Sequence, residues 1–118
     1  MIHVTADHVA AVYECLRRFD PWRPLKLPHA EQVEFRTTGR RDVLGEYTHW
    51  LTDGTPIIVI SYANVSHLDT LAWVTGHEMI HLYQHQAKTA TRSQHNIEFN
   101  RIAKRACQAM GWDYHLFV

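Results

Sequence analysis

The sequence predicts an α+β fold, and three observations carry that expectation. Apolar residues recur at helical spacing near both ends of the chain, β-branched and alternating stretches fill the region from Gln32 to Tyr62, and a strongly apolar helix follows. At 118 residues the chain suits one hydrophobic core, so a single domain over residues 1–118 is expected and any site must be built into that core.

Thr5 is a capping residue, and Val9, Val12, Tyr13, Leu16 and Phe19 follow at three- and four-residue steps, predicting an amphipathic helix over about Ala6 to Phe19. It must stop before "DPWRPLKLP", where three prolines forbid regular helix. Trp22 is expected to pin this connector to the core. In "QVEFRT" Val33 and Phe35 alternate with polar neighbours, and "VLGEYTHWL" sets Leu44, Tyr47, His49 and Leu51 around a bulge at Gly45. After the turn signal "TDG" comes "TPIIVISY", apolar from Ile57 to Ile60, which calls for cover on both faces or a place beside the main helix. The three segments predict a three-stranded antiparallel sheet.

Asp69 is the expected cap of the central helix, "TLAWVTGHEMIHLYQHQ", which is apolar around most of its circumference. A last helix carries Phe99, Ile102, Ala103, Ala106 and Met110, with Thr91 and Ser93 or Gln94 as its expected cap and Gly111 as its end. The final "WDYHLFV" adds a strand or packs down.

Lys plus Arg and Asp plus Glu both number 12, so no global basic field exists to hold nucleic acid. The local groups Arg17, Arg18 and Arg23, Arg40 and Arg41, and Arg101, Lys104 and Arg105 read as solvated faces. DNA binding by this chain alone is therefore expected to be weak or absent. Cys15 and Cys107 lie in helical patterns and read as reduced core residues. The opening "MIHVTADHVAAVYECL" lacks a basic start and a long apolar run, so no membrane partner and a cytoplasmic location are expected.

The chemistry concentrates in "HEMIH". His77 and His81 are one i, i+4 step apart, with about 6 Å of rise and about 40° of rotation between them, so two imidazoles can converge on one Zn2+. Glu78 sits about 100° round the helix, out of the ligand line but beside the position of a water. There it can take a proton while the ion polarises a carbonyl. Unpaired polar groups are costly to bury in so apolar a helix, which favours function over chance.

A catalytic ion needs a third protein ligand. His85 lies about 12 Å from His77 along the axis, too far to share the ion. A metzincin pattern fails, because Gln84 and Ala87 stand where its glycine and third histidine belong. His95, opening the next helix, and Glu98 three residues on remain as candidates. Phe99 is placed to pack against the histidine helix.

The stretches "GEYTHWLTDGTPIIVIS", "TLAWVTGHEMIHLYQHQ" and "HNIEFNRIAKRACQAMGWD" resemble the SprT-like zinc metallopeptidases, which include Spartan-type proteases of DNA–protein crosslinks. The resemblance spans roughly residues 30 to 112. It implies a zincin-like minimal core in which His77, His81 and His95 hold zinc, Glu78 is the general base, and a protein or peptide is the substrate. Asn96 departs from the family's glycine, and the four-cysteine zinc ribbon of many members is missing. A substrate chain is expected beside "PIIVISY", with Tyr62, Tyr83, Tyr114 and His115 as candidate donors to the oxyanion. The competing expectations are a gluzincin-type regulatory protease with Glu98 as ligand, and a non-catalytic module that zinc staples together. Glu78 separates the last from the enzymes, since a structural site gains nothing from it.

Overall fold

A computed structural model describes all residues, Met1 to Val118. Helix α1 (Ala6–Leu16) is followed by strands β1 (Glu34–Thr38), β2 (Gly45–His49) and β3 (Pro56–Ser61), then helices α2 (Leu68–Ala87), α3 (Ile97–Met110) and the short α4 (Tyr114–Phe117). Helices α1 and α2 pack together, α1 on β1 and α2 on β2 and β3, while α3 and α4 close on the far side of α2. No helix is long and apolar enough to cross a membrane.

The α+β class holds, but the sheet is mixed and not antiparallel. Its order is β1-β3-β2, with β1 parallel to β3 and β2 antiparallel to it. The reason lies at the end of β3. The segment between β1 and β2 arches over that end, where Ser61 Oγ donates to Arg40 O and Asn64 Nδ2 donates to Arg41 O and Val43 O. The chain thereby skips one strand position, and β3 returns through the gap. An apolar strand belongs in that middle place. Ile58 and Ile60 enter the core, and on the other face Ile57 is sheltered below the Glu34, Arg36 and Trp50 side chains, which bond to one another.

Local signals explain the helix ends. Thr5 accepts from His8 N while His8 Nδ1 accepts from Thr5 N, a reciprocal cap for α1. That helix ends at Leu16, one turn before Phe19, which is left exposed. His67, without a side-chain bond, occupies the N-cap of α2, so Asp69 lies inside the first turn and serves the helix dipole instead of the cap. Asn96, and not Thr91, caps α3 by accepting from Phe99 N, and Gly111 ends it with φ 73°. The cysteines are free, but only Cys107 is buried; Cys15 is exposed on α1.

Two buried contacts set the height of α2 over the sheet and connector. Trp22 is fully buried, and its indole N–H donates to Gly76 O at 3.2 Å. A Cβ at Gly76 would meet the Trp22 ring at 2.7 Å. At Gly45 a Cβ would meet Val74 Cγ1 at 2.9 Å, so only glycine lets β2 lie this close to α2.

Alanine in a helix interior usually gains about 1 kcal/mol over glycine. Overpacking typically costs about 1–3 kcal/mol, and the indole here is locked, so Gly76→Ala is expected to lower stability in urea denaturation. A rise in the midpoint would contradict the packing described. A second expectation concerns acid. Burial raises the Glu14 carboxyl, but Ala30 N–H and the Arg17 guanidinium outweigh it and hold the group below its ordinary 4.5. A depressed folded pKa gives stability that is present above that value and lost as pH falls through and below it. Glu14→Gln should cost about 1 kcal/mol at pH 7, and that cost should shrink as pH falls below 4.5 and through the folded pKa. An unchanged difference across that range would show that the ionised form is not what holds the connector.

Candidate metal centre

The centre grows from one face of α2. His77, His81 and Gln84 stand at i, i+4 and i+7, a stripe that points across the helix towards the start of α3. His95 precedes the Asn96 cap instead of opening the helix, and its ring stacks on Phe99 with centroids 4.3 Å apart. Phe99 is fully buried and also touches the rings of His77 and His81. The one phenylalanine thus backs all three imidazoles, whose nearest ring nitrogens lie within 4.8 Å of one another.

The donor chemistry fits a divalent transition metal. His77 Nδ1 lies 2.6 Å from Phe117 O, and a carbonyl only accepts, so the proton sits on Nδ1 and the Nε2 lone pair faces inward. His81 Nε2 lies 3.2 Å from that Nε2. Zinc–nitrogen bonds of about 2.0–2.1 Å put tetrahedral ligands about 3.4 Å apart, a spacing this pair already meets. Burial, with the neighbouring imidazoles adding to it, lowers His77 to about 4 and His81 to about 3, so both rings are neutral and free to coordinate at neutral pH. Burial lowers His95 as well.

Glu78 is only 5% exposed, yet nothing in the protein hydrogen-bonds its carboxylate. Burial, with Glu46 adding repulsion, raises it to about 8. It lines a cleft of about 510 Å3 together with His77, His81, His95 and strand β2. The Glu78 carboxyl is thus left without a protein partner beside three imidazoles.

Glu98, the rival third ligand, is directed elsewhere. Gln84, 1% exposed, donates to Glu98 Oε1 at 2.9 Å and to Asn96 Oδ1 at 2.8 Å. Asn96 in turn donates to Thr89 O. This network fixes the start of α3 and leaves His95, not Glu98, beside the α2 histidines. Of the proposed oxyanion donors, Tyr62, Tyr83, Tyr114 and His115 all lie outside the cleft. Tyr62 packs on His3, and Tyr114 lies under Lys104.

Sequence reasoning missed the wall opposite the histidines. Tyr47 and His49 line the cleft, the Tyr47 hydroxyl lies 3.1 Å from His85 Nδ1, and His85 stacks on His49 at 3.9 Å. His85, too far along α2 to share the ion, closes the far end of the cleft. The signal was Gly45, Tyr47 and His49 at two-residue spacing, which puts an aromatic and an imidazole on one strand face. Gln84 was legible too, as a polar residue continuing the His77–His81 stripe.

Zinc should bind in about one equivalent, and its removal should lower the melting temperature, because His95 ties α3 to α2. Chelator competition should show the largest losses for His77→Ala, His81→Ala and His95→Ala, near-native affinity for Glu98→Ala, and an intermediate loss of about 10- to 100-fold for Gln84→Leu, which unties His95 without removing a donor. Zinc retention in His95→Ala with loss in Glu98→Ala would move the third ligand to Glu98. No protein-family model, curated protein or solved structure matches the chain.

Proposed function

We propose that the protein is a zinc-dependent endopeptidase that hydrolyses extended segments of protein substrates, with His77, His81 and His95 as ligands and Glu78 as general base. The observation that carries this reading is Glu78, a buried and partnerless carboxylate next to three convergent neutral imidazoles. A closed structural centre would have no use for it. The resemblance to SprT-like peptidases supports the same assignment, and the balanced charge favours a protein substrate over DNA. Two unpaired cysteines suit the cytoplasm.

His77, His81 and His95 would hold the ion, which would supply Lewis acidity for a water and for the scissile carbonyl. The positive charge of an ion held there would oppose the upward shift of Glu78 and favour its ionised form, and that carboxylate accepts the proton of the attacking water and delivers it to the departing amine. His77 is held in its working tautomer by Phe117 O, so its Nε2 stays turned to the centre.

The expected strand beside the substrate has to change. β3 is paired on both sides, so it has no free edge. β2 does. Ser61 N donates to Leu44 O and Trp50 N to Thr55 O, so in the antiparallel alternation Leu44, Glu46, Thr48 and Trp50 turn their backbone groups to β3. Gly45, Tyr47 and His49 turn theirs to the open edge along the cleft. An extended peptide pairs there by strand addition, which requires an unfolded or loop segment. The Tyr47 hydroxyl, steadied by His85, is the donor best placed for the developing oxyanion.

Glu78→Gln keeps size and hydrogen bonding but cannot accept a proton, so it should retain zinc and fold while losing about 10²- to 10⁴-fold in hydrolysis of an unfolded protein substrate. Equal activity at matched zinc content would remove Glu78 from the role of base.

A further inference from the structure

The cleft changes character at Glu78. From Tyr47 towards His49 and His85 it is polar, with almost no apolar side chain in its wall. Past Gly45 it opens into a separate recess of about 370 Å3 whose wall is mostly apolar, formed by Leu44, Trp73, Val74, Leu116 and Phe117. The two spaces share Gly45, His77, Glu78 and His95. They are neighbouring compartments of one track.

The geometry of β2 and α2 makes the track continuous. Both run in the same sense, since Gly45 packs on Val74 at one end and Tyr47 bonds His85 at the other. Val74 to His85 rises about 16 Å in a helix, and Gly45 to His49 extends about 13 Å in a strand. A peptide paired with the open backbone groups of Gly45, Tyr47 and His49 passes Glu78 and then meets the recess. Successive residues of an extended chain advance about 3.3 Å, so the residue next to the bond at Glu78 is the one whose side chain reaches it.

The recess is also the place where apolar surface is left uncovered beside the centre. Leu44 is 41% exposed and Leu116 is 64% exposed, although both flank a pocket that a further side chain could fill. Phe117, by contrast, is buried and holds His77 through its carbonyl, so the floor of the recess is anchored to the centre. Asp42 stands at the rim but is paired with Arg40, so the apolar wall sets the character of the recess.

We propose that this recess is the specificity subsite of the peptidase, taking a bulky apolar side chain, such as leucine or phenylalanine, from the substrate residue on one fixed side of the scissile bond. The proposal rests on the peptidase reading and adds the class of residue it selects. Burying such a side chain is worth about 10- to 100-fold over leaving it in water.

The test uses zinc-loaded protein and a set of flexible Gly/Ser/Gln peptides that carry a single guest residue: Leu, Phe, Asp, Lys or Gly. Leu and Phe should direct cleavage to a bond on one constant side of the guest, with kcat/KM about 10- to 100-fold above the Asp peptide. Leu116→Asp, an exposed position that should fold normally, is expected to erase this preference, and Leu44→Asp likewise. Peptide affinity is measured in parallel on Glu78→Gln, where Leu and Phe should again rank first. Cleavage without an apolar preference, or a preference indifferent to both aspartate variants, overturns the subsite and leaves the peptidase reading intact. Ranked binding without hydrolysis by the native protein overturns the peptidase reading and supports the recess. Neither hydrolysis nor ranked binding overturns both.

Discussion

Polar groups buried along the central helix impose the constraint on which the molecule is organised. Such groups lose their water on folding and must be answered from within. Gln84 is answered by Asn96 and Glu98, His77 by Phe117 O, and the helix carbonyl at Gly76 by Trp22. Each answer comes from a different part of the chain. The connector, the start of α3 and the last turn are thereby all registered against one helix. The Thr75 hydroxyl and the Glu78 carboxyl receive no answer, and of the two it is Glu78 that faces the cleft.

The fold brings the imidazoles together through packing as much as through bonding. Phe99 lies behind all three rings, and Asn96 and Gln84 hold the backbone from which His95 projects. This arrangement keeps three imidazoles close, and burial suppresses the protonation of His77 and His81 most. On the opposite wall, Gly45 lets β2 approach within contact of Val74, and that proximity creates a narrow track instead of an open face.

Much of this was legible in the residues, and the parts that were not have a common cause. His77, Glu78 and His81 can be read because helical spacing alone fixes their relation, and the middle position of β3 is hinted at by its unbroken apolar run. The parallel pairing of β1 with β3 could not be read, because it depends on Ser61 and Asn64 bonding to a loop some twenty residues away. The true cap of α3 was hidden among several polar residues, and only the buried Gln84 selects Asn96 from them. Tyr47, His49 and His85 belong to the cleft only once strand and helix are known to touch. The resemblance to SprT-like peptidases favoured His95 over Glu98; in the fold His95 lies beside His77 and His81, and Glu98 accepts from Gln84.

Three neutral imidazoles, already close together before an ion arrives, have a consequence for metal choice. Little reorganisation is needed to load such a centre, so uptake should be quick, but the same readiness extends to the wrong ions. An all-nitrogen donor set follows the general order in which copper(II) binds more tightly than zinc, nickel or cobalt. Neither a soft thiolate nor a hard carboxylate stands among these donors to shift that order. Loaded as proposed, the centre leaves discrimination to the metals the cell makes available, and its fidelity becomes a property of the cell's free zinc and copper more than of the protein.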